Sequence, residues 1–248
     1  REEIDRRVFT RYLDRKEGWW KKWNNWNGVC NGGIGAMFLL LEDDVDRLAH
    51  GLHDVLEGLE VFMNTAFEAD GGSGEGVGYW HYGLTNFSFF AELLRRRTGG
   101  EIDLLGTDRM KTIAAYPPSV MLSPGKYFSY SDSDEETSFH PGLVQRIAER
   151  TGVEELYAVL AEPGELRAGF PYFHRVWRAL LWWDGMRPER VTLKDAYLPE
   201  SRIVRLVGAT PSETPLALAT KAMHNAVPHN QNDVGVIVLH ADGETFIC

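Results

Sequence analysis

Cysteine is almost missing from this chain: there are two, Cys30 and Cys248. A disulfide framework is thereby excluded. Long apolar runs are missing as well. The longest, Ala36-Met37-Phe38-Leu39-Leu40-Leu41, falls far short of the roughly 20 residues that a membrane-spanning helix needs. Positive charge is in deficit, with 26 Lys and Arg against 36 Asp and Glu and a net charge of −10. That balance argues against a dedicated nucleic-acid binder. No internal repeat, low-complexity tract or flexible linker is seen. No signal peptide is visible, but the chain opens at Arg1 without an initiator Met, so this carries no weight on localisation. What remains is an ordinary globular composition over 248 residues, 44% hydrophobic and 25% charged. It suits one large domain, or one domain and part of another.

The chain changes character once. Up to about residue 185 the apolar residues recur at helical spacing. Ile4, Val8, Phe9, Tyr12 and Leu13 share one face, and Val45, Leu48, Leu52, Val55, Leu56, Leu59 and Phe62 share another. A third helix is expected from Tyr79 to Arg97, stopped by Thr98-Gly99-Gly100. Shorter helices are expected near 108–115, 142–151, 153–161 and 171–183. The stretch from Trp19 to Gly35, with four Trp and four Asn, reads as a connection between helices. So do the glycine-rich 70–78 and the aperiodic 116–141. Long connections of this kind are where binding residues concentrate. Beyond Pro188 the period becomes two, over 203–207, 216–220 and 234–240, and Asp242-Gly243 reads as a hairpin turn. A short antiparallel sheet that stops inside a strand suggests a β domain cut at its C-terminal side. The expected division is residues 1–190, helical, and 191–248, all-β.

Three motifs carry chemistry. The first is Asn24-Asn25-Trp26-Asn27-Gly28-Val29-Cys30-Asn31-Gly32-Gly33. Its amides suit sugar hydroxyls and a carboxylate passing to an enolate-like species, although an Asn/Gly loop capping a helix would look the same. The second runs from Asp70 to Gly83 and includes Glu75, Tyr79, Trp80, His81 and Tyr82. Gly-permitted turns deliver a Tyr-Trp-His-Tyr cluster at a helix start, where rings can stack on sugars and Tyr or His can move protons. The third, Lys221 to Gly235, holds His224, His229, Asn230, Gln231 and Asp233 ahead of a strand. His229 and Asp233 are only two candidate ligands, so a divalent metal has little support.

In their order and content these motifs resemble the heparinase II/III-like polysaccharide lyases, over roughly Trp19 to Cys248. The resemblance implies an incomplete (α/α) toroid, followed by the first strands of a truncated antiparallel β-sandwich. It implies β-elimination on a uronate-containing acidic polysaccharide or oligosaccharide, with no cofactor required. By the same resemblance Asn25 and Asn27 contact the substrate carboxylate, and Tyr79, with Tyr82 beside it, is the catalytic tyrosine. His229 is the second proton-transfer group, and Glu75 and Asp233 orient these residues. Candidate substrate contacts are Trp26, Asn31, Trp80, His81, Lys221, His224, Asn230 and Gln231. Gln231 stands where the family motif has a second His, and Ala222-Met223 where it has Gly-Gly.

Two other readings remain open. One is a glycoside hydrolase using a pair among Asp70, Glu75 and Asp132. The other is a non-catalytic protein that binds acidic sugars. A polyanionic ligand sits awkwardly with a charge of −10, so Lys126, Arg175, Arg178, Arg205 and Lys221 are expected to line a positive cleft.

Overall fold

The computed structural model describes residues 1–15, 18–161, 173–222, 226, 229, 232 and 234–247, together with the side chains of all these except 173–175. The chain is mainly helical, with a C-terminal five-stranded antiparallel sheet. It divides into two compact units: Arg1–Phe67 with Tyr82–Met110, and Glu68–His81 with Lys111–Cys248. The change from helix to strand near residue 190 therefore falls inside the second unit. Among the described residues no helix is long and apolar enough to cross a membrane.

The first unit opens with α1 (Glu2–Ile4), a π-helical turn (Asp5–Phe9) and α2 (Thr10–Leu13), followed by α3 (Asn25–Leu41), α4 (Val45–Thr65) and most of α5 (Val77–Arg97). Asp44 starts α4 by accepting the Arg47 N–H at 2.8 Å, satisfying one of the donors a helix start leaves open. At the other end of α4, Arg109 donates to the carbonyls of Met63 and Phe67 at 2.9 and 2.6 Å. Phe9 stacks on Phe38, and Phe62 meets both Phe67 and Phe87.

One expectation fails here. The Asn/Gly motif is not a connection but the first half of α3. Glycine lowers helix propensity, yet these glycines are what lets neighbouring helices approach. A Cβ at Gly28 would lie 2.6 Å from the Phe62 ring, one at Gly32 2.6 Å from the Asn86–Phe87 backbone, and one at Gly35 2.6 Å from Phe90. Tertiary packing overrides local preference.

The second unit resumes at Lys111 within α6 (Asp108–Ala114), which leads into α7 (Tyr116–Ser119), then the hairpin β1 (Met121–Ser123) and β2 (Lys126–Tyr127). After it come α8 (Pro141–Thr151), a 3-10 helix (Glu154–Leu160) and α9 (Phe173–Trp182). Pro141 opens α8 and Gly152, at φ +70°, closes it, each residue in the position its backbone favours. The sheet follows as a meander of β3 (Ala196–Leu198), β4 (Ile203–Ala209), β5 (Pro215–Lys221), β6 (Ile237–Ala241) and β7 (Glu244–Ile247).

Register assigns the two sheet faces. Arg205, Ala219 and Val238 are cross-strand partners on the buried face, with Ile203, Lys221 and His240. Leu206, Leu218 and Leu239 are partners on the other face, where Tyr197, Leu206, Leu218, Ile237 and Ile247 are exposed. The buried face thus mixes apolar residues with Arg205, Lys221 and His240, while the other face carries a row of exposed apolar side chains.

Candidate active site

Glycine geometry and one aspartate fix the loop that begins the site. Asp70 accepts the N–H groups of Glu200 and Ser201 at 2.8 Å each, the Ser201 hydroxyl at 2.6 Å and the Gly72 N–H at 3.1 Å. A carboxylate so engaged anchors a loop and is not available as a hydrolytic acid or base. Gly76, at φ +86°, passes Ser133 so closely that a Cβ would lie 2.3 Å from that residue's Cβ. Ser133 Oγ in turn accepts the Gly78 N–H at 3.2 Å, in the first turn of α5.

That turn presents Tyr79. Its ring stacks on the imidazole of His229, with centroids 4.3 Å apart and planes 22° from parallel. The Tyr79 hydroxyl lies 3.4 Å from His229 Nδ1. Asp132 Oδ2 is only 2.6 Å from the same nitrogen, and Glu75 Oε1 is 3.4 Å from Nε2. His229 takes φ +59°, in the left-handed region, a conformation uncommon outside glycine and found at functional sites. Burial first, and then the carboxylates of Asp132, Glu75 and Asp134, raise the Tyr79 phenol above its ordinary pKa of 10.0. The phenol therefore stays protonated at neutral pH. Next to the site, Lys221 is fully buried, with its ammonium 4.2 Å from the Tyr130 ring centre. The Tyr130 hydroxyl donates to Ser73 O at 2.7 Å and also meets the Tyr116 hydroxyl.

Of the residues named from sequence, Tyr79, Glu75 and His229 come together. Trp80 and His81 face inward: Trp80 is wholly buried and donates to Ile113 O at 2.9 Å, and His81 Nε2 accepts the His140 N–H at 3.1 Å. Asn25, Trp26, Asn27, Asn31 and Tyr82 belong to the first unit. Asn27 donates to Lys22 O at 2.8 Å. Asn31 donates to Asn27 Oδ1 at 2.7 Å and to Trp20 O at 2.9 Å, and accepts from the Tyr12 hydroxyl at 2.7 Å. These two amides form a buried network inside the helical unit. Asn25 is buried, whereas Trp26 and Tyr82 are 56% and 48% exposed. His224, Asn230, Gln231 and Asp233 lie outside the described residues.

The expected cleft of five cations is corrected. Arg205 donates to the carbonyls of Pro118, Met121 and Lys194. Burial brings its pKa down to about 10, and it stays charged at neutral pH. Lys126 is held by Glu136 at 2.6 Å and Glu135 at 3.6 Å. Arg178 is buried on α9, and the Arg175 side chain lies outside those described. Backbone carbonyls claim Arg205 and nearby glutamates claim Lys126.

Asp132 is the residue whose place the sequence concealed. It stands out as a carboxylate in an aperiodic loop, but nothing local marks it as the partner of a histidine 97 residues away. No protein-family profile and no curated protein matches this chain.

Proposed function

We propose that the protein is a polysaccharide lyase of the heparinase II/III-like kind, cleaving a uronate-containing acidic polysaccharide or oligosaccharide by β-elimination. The observation that carries this reading is the Tyr79–His229 pair, stacked and flanked by Asp132 and Glu75. Elimination needs one group to take the proton beside the uronate carboxylate and another to protonate the departing glycosidic oxygen. His229 is suited to the first task, because Asp132, 2.6 Å from Nδ1, holds the imidazole in place. Tyr79 is suited to the second, because its raised pKa keeps a proton available. Exposed Trp26 and Tyr82 offer ring faces for sugars. Asn25 and Asn27 are buried in the helical unit, and both amide atoms of Asn27 are engaged there, so the carboxylate contact that the resemblance assigns them is not part of this proposal. The finer fold belongs to the same proposal: the helices form part of an (α/α) toroid, and the sheet, with Leu206, Leu218 and Ile237 exposed on one face, is one layer of a β-sandwich.

The test is incubation with alginate, heparan sulfate, hyaluronan and related uronides, following the ultraviolet absorbance of the unsaturated product. Wild type is expected to generate it. Tyr79→Phe and His229→Gln are each expected to lose on the order of 10²-fold or more in kcat. Saturated products would instead favour a hydrolase. Binding without turnover, unchanged in Tyr79→Phe, would favour a sugar-binding protein.

A further inference from the structure

The β1–β2 hairpin and the C-terminal hairpin bring a second reactive pair together, independent of Tyr79 and His229. Ser123 Oγ lies 2.9 Å from His240 Nε2, and His240 Nδ1 lies 3.0 Å from Thr245 Oγ1. With the ring proton on Nδ1, the imidazole donates to Thr245 and accepts from Ser123. A hydroxyl held by a base, with the base oriented by a third group, is the arrangement that activates a serine nucleophile. The pair lines a cavity of about 700 Å³ in the second unit. Leu122, Val207, Leu216 and Ala217 give that cavity an aliphatic part beside polar groups such as Lys126, Arg190 and Asp242, and no Phe, Tyr or Trp is among its described lining residues. The volume falls within the range of small-molecule sites. An aliphatic wall without Phe, Tyr or Trp offers a sugar no broad ring to stack on, and suits a short acyl chain instead.

We propose that Ser123 and His240 are the nucleophile and general base of a second site, which hydrolyses short aliphatic acyl esters. Ser123 Oγ bonds to the ester carbonyl carbon as its proton passes to His240 Nε2. The carbon–alkoxide bond then breaks, and the imidazolium returns the proton to the departing alcohol. Water, deprotonated by the same nitrogen, attacks the acyl-serine. This releases a carboxylic acid and restores the Ser123 hydroxyl. Burial lowers the His240 pKa below the ordinary histidine value, so the ring is the free base at neutral pH. Glu135 and Glu244 act in the opposite sense and favour the imidazolium as it forms, while Lys126 opposes it. Arg190, in the cavity wall, brings a positive charge to the site that a developing oxyanion can use.

The experiment uses para-nitrophenyl butyrate and a fluorophosphonate probe on the purified chain. Wild type is expected to release nitrophenol and to carry the phosphonyl group on Ser123, located by peptide mass. Ser123→Ala and His240→Gln should each slow release by about 10²-fold or more, and Thr245→Val by several-fold. Release undiminished in Ser123→Ala overturns the proposal, as does a folded wild type that neither turns over the ester nor is labelled at Ser123. If the variants fail to fold, judged by circular dichroism, labelling of the wild type decides by itself.

Discussion

His229 Nδ1 has two neighbours competing for it, the Asp132 carboxylate at 2.6 Å and the Tyr79 hydroxyl at 3.4 Å. A contact at 3.4 Å is at the outer limit of a hydrogen bond, so the shorter, charge-assisted one sets the ring's tautomer. Asp132 therefore acts on the reaction by holding His229, and Tyr79 meets the ring mainly through stacking. Asp132→Asn keeps the shape, removes the charge and offers an amide that favours the wrong tautomer. The expected outcome on a uronide substrate is a kcat lower by on the order of 10² with KM little changed, measured by steady-state kinetics. Asp70→Asn has a different expected signature, because Asp70 binds backbone and hydroxyl groups and touches no reacting atom. It should destabilise the fold by about 1–3 kcal/mol, read from urea unfolding. A selective loss of kcat in Asp70→Asn, without loss of stability, would contradict the anchoring role.

At the scale of elements, α3 contains two adjacent glycines with opposite expectations. A Cβ at Gly32 runs into the Asn86–Phe87 backbone at 2.6 Å, whereas a Cβ at Gly33 meets only Asn86 Nδ2, at 3.7 Å. Gly33→Ala should stabilise by about 0.5–1 kcal/mol, the ordinary gain from replacing a mid-helix glycine. Gly32→Ala should lose by about 1–3 kcal/mol, because backbone cannot move aside as a side-chain tip can. Thermal unfolding of the two variants, with midpoints moving in opposite directions, is the check. The same helix marks where the sequence could be read and where it could not. α4 was legible because its apolar face is local, and β4 and β5 because alternation is local too. α3 was read as a loop because the reason for its glycines lies on α4 and α5, far along the chain. The β1–β2 hairpin, three residues and two, is too short to show a period. Tyr79 and His229 were legible through their motifs. Their meeting with Asp132 and Glu75 depends on long-range contacts that no local pattern encodes.

At the scale of the whole molecule, charge and burial make two further statements. Tyr12, Tyr116 and Tyr127 all have raised pKa values, with burial as the first cause. Their folded-state preference for the phenol gives stability that is complete below the unfolded value near 10.0 and is lost as pH climbs from there through the folded values. Arg205, pulled down to about 10, opposes this as one group against three. Stability should therefore fall steeply above pH 10, at up to about 1.4 kcal/mol per pH unit for each tyrosine, and tyrosinate absorbance should rise together with loss of helix. The second statement concerns a polyanionic substrate meeting a chain of net charge −10, in which Lys126 and Arg205 are already engaged. Long-range repulsion then slows encounter, and salt relieves it: the Debye length contracts from about 30 Å at about 0.01 M to about 8 Å at about 0.15 M. Over that range kcat/KM on a uronide polymer should rise several-fold, mainly through a lower KM, while kcat stays nearly constant because Asp132 and Glu75 lie within 4 Å of the His229 ring. A fall in kcat/KM with added salt would show that attraction dominates after all, and that positive charge gathers somewhere other than on Lys126 and Arg205.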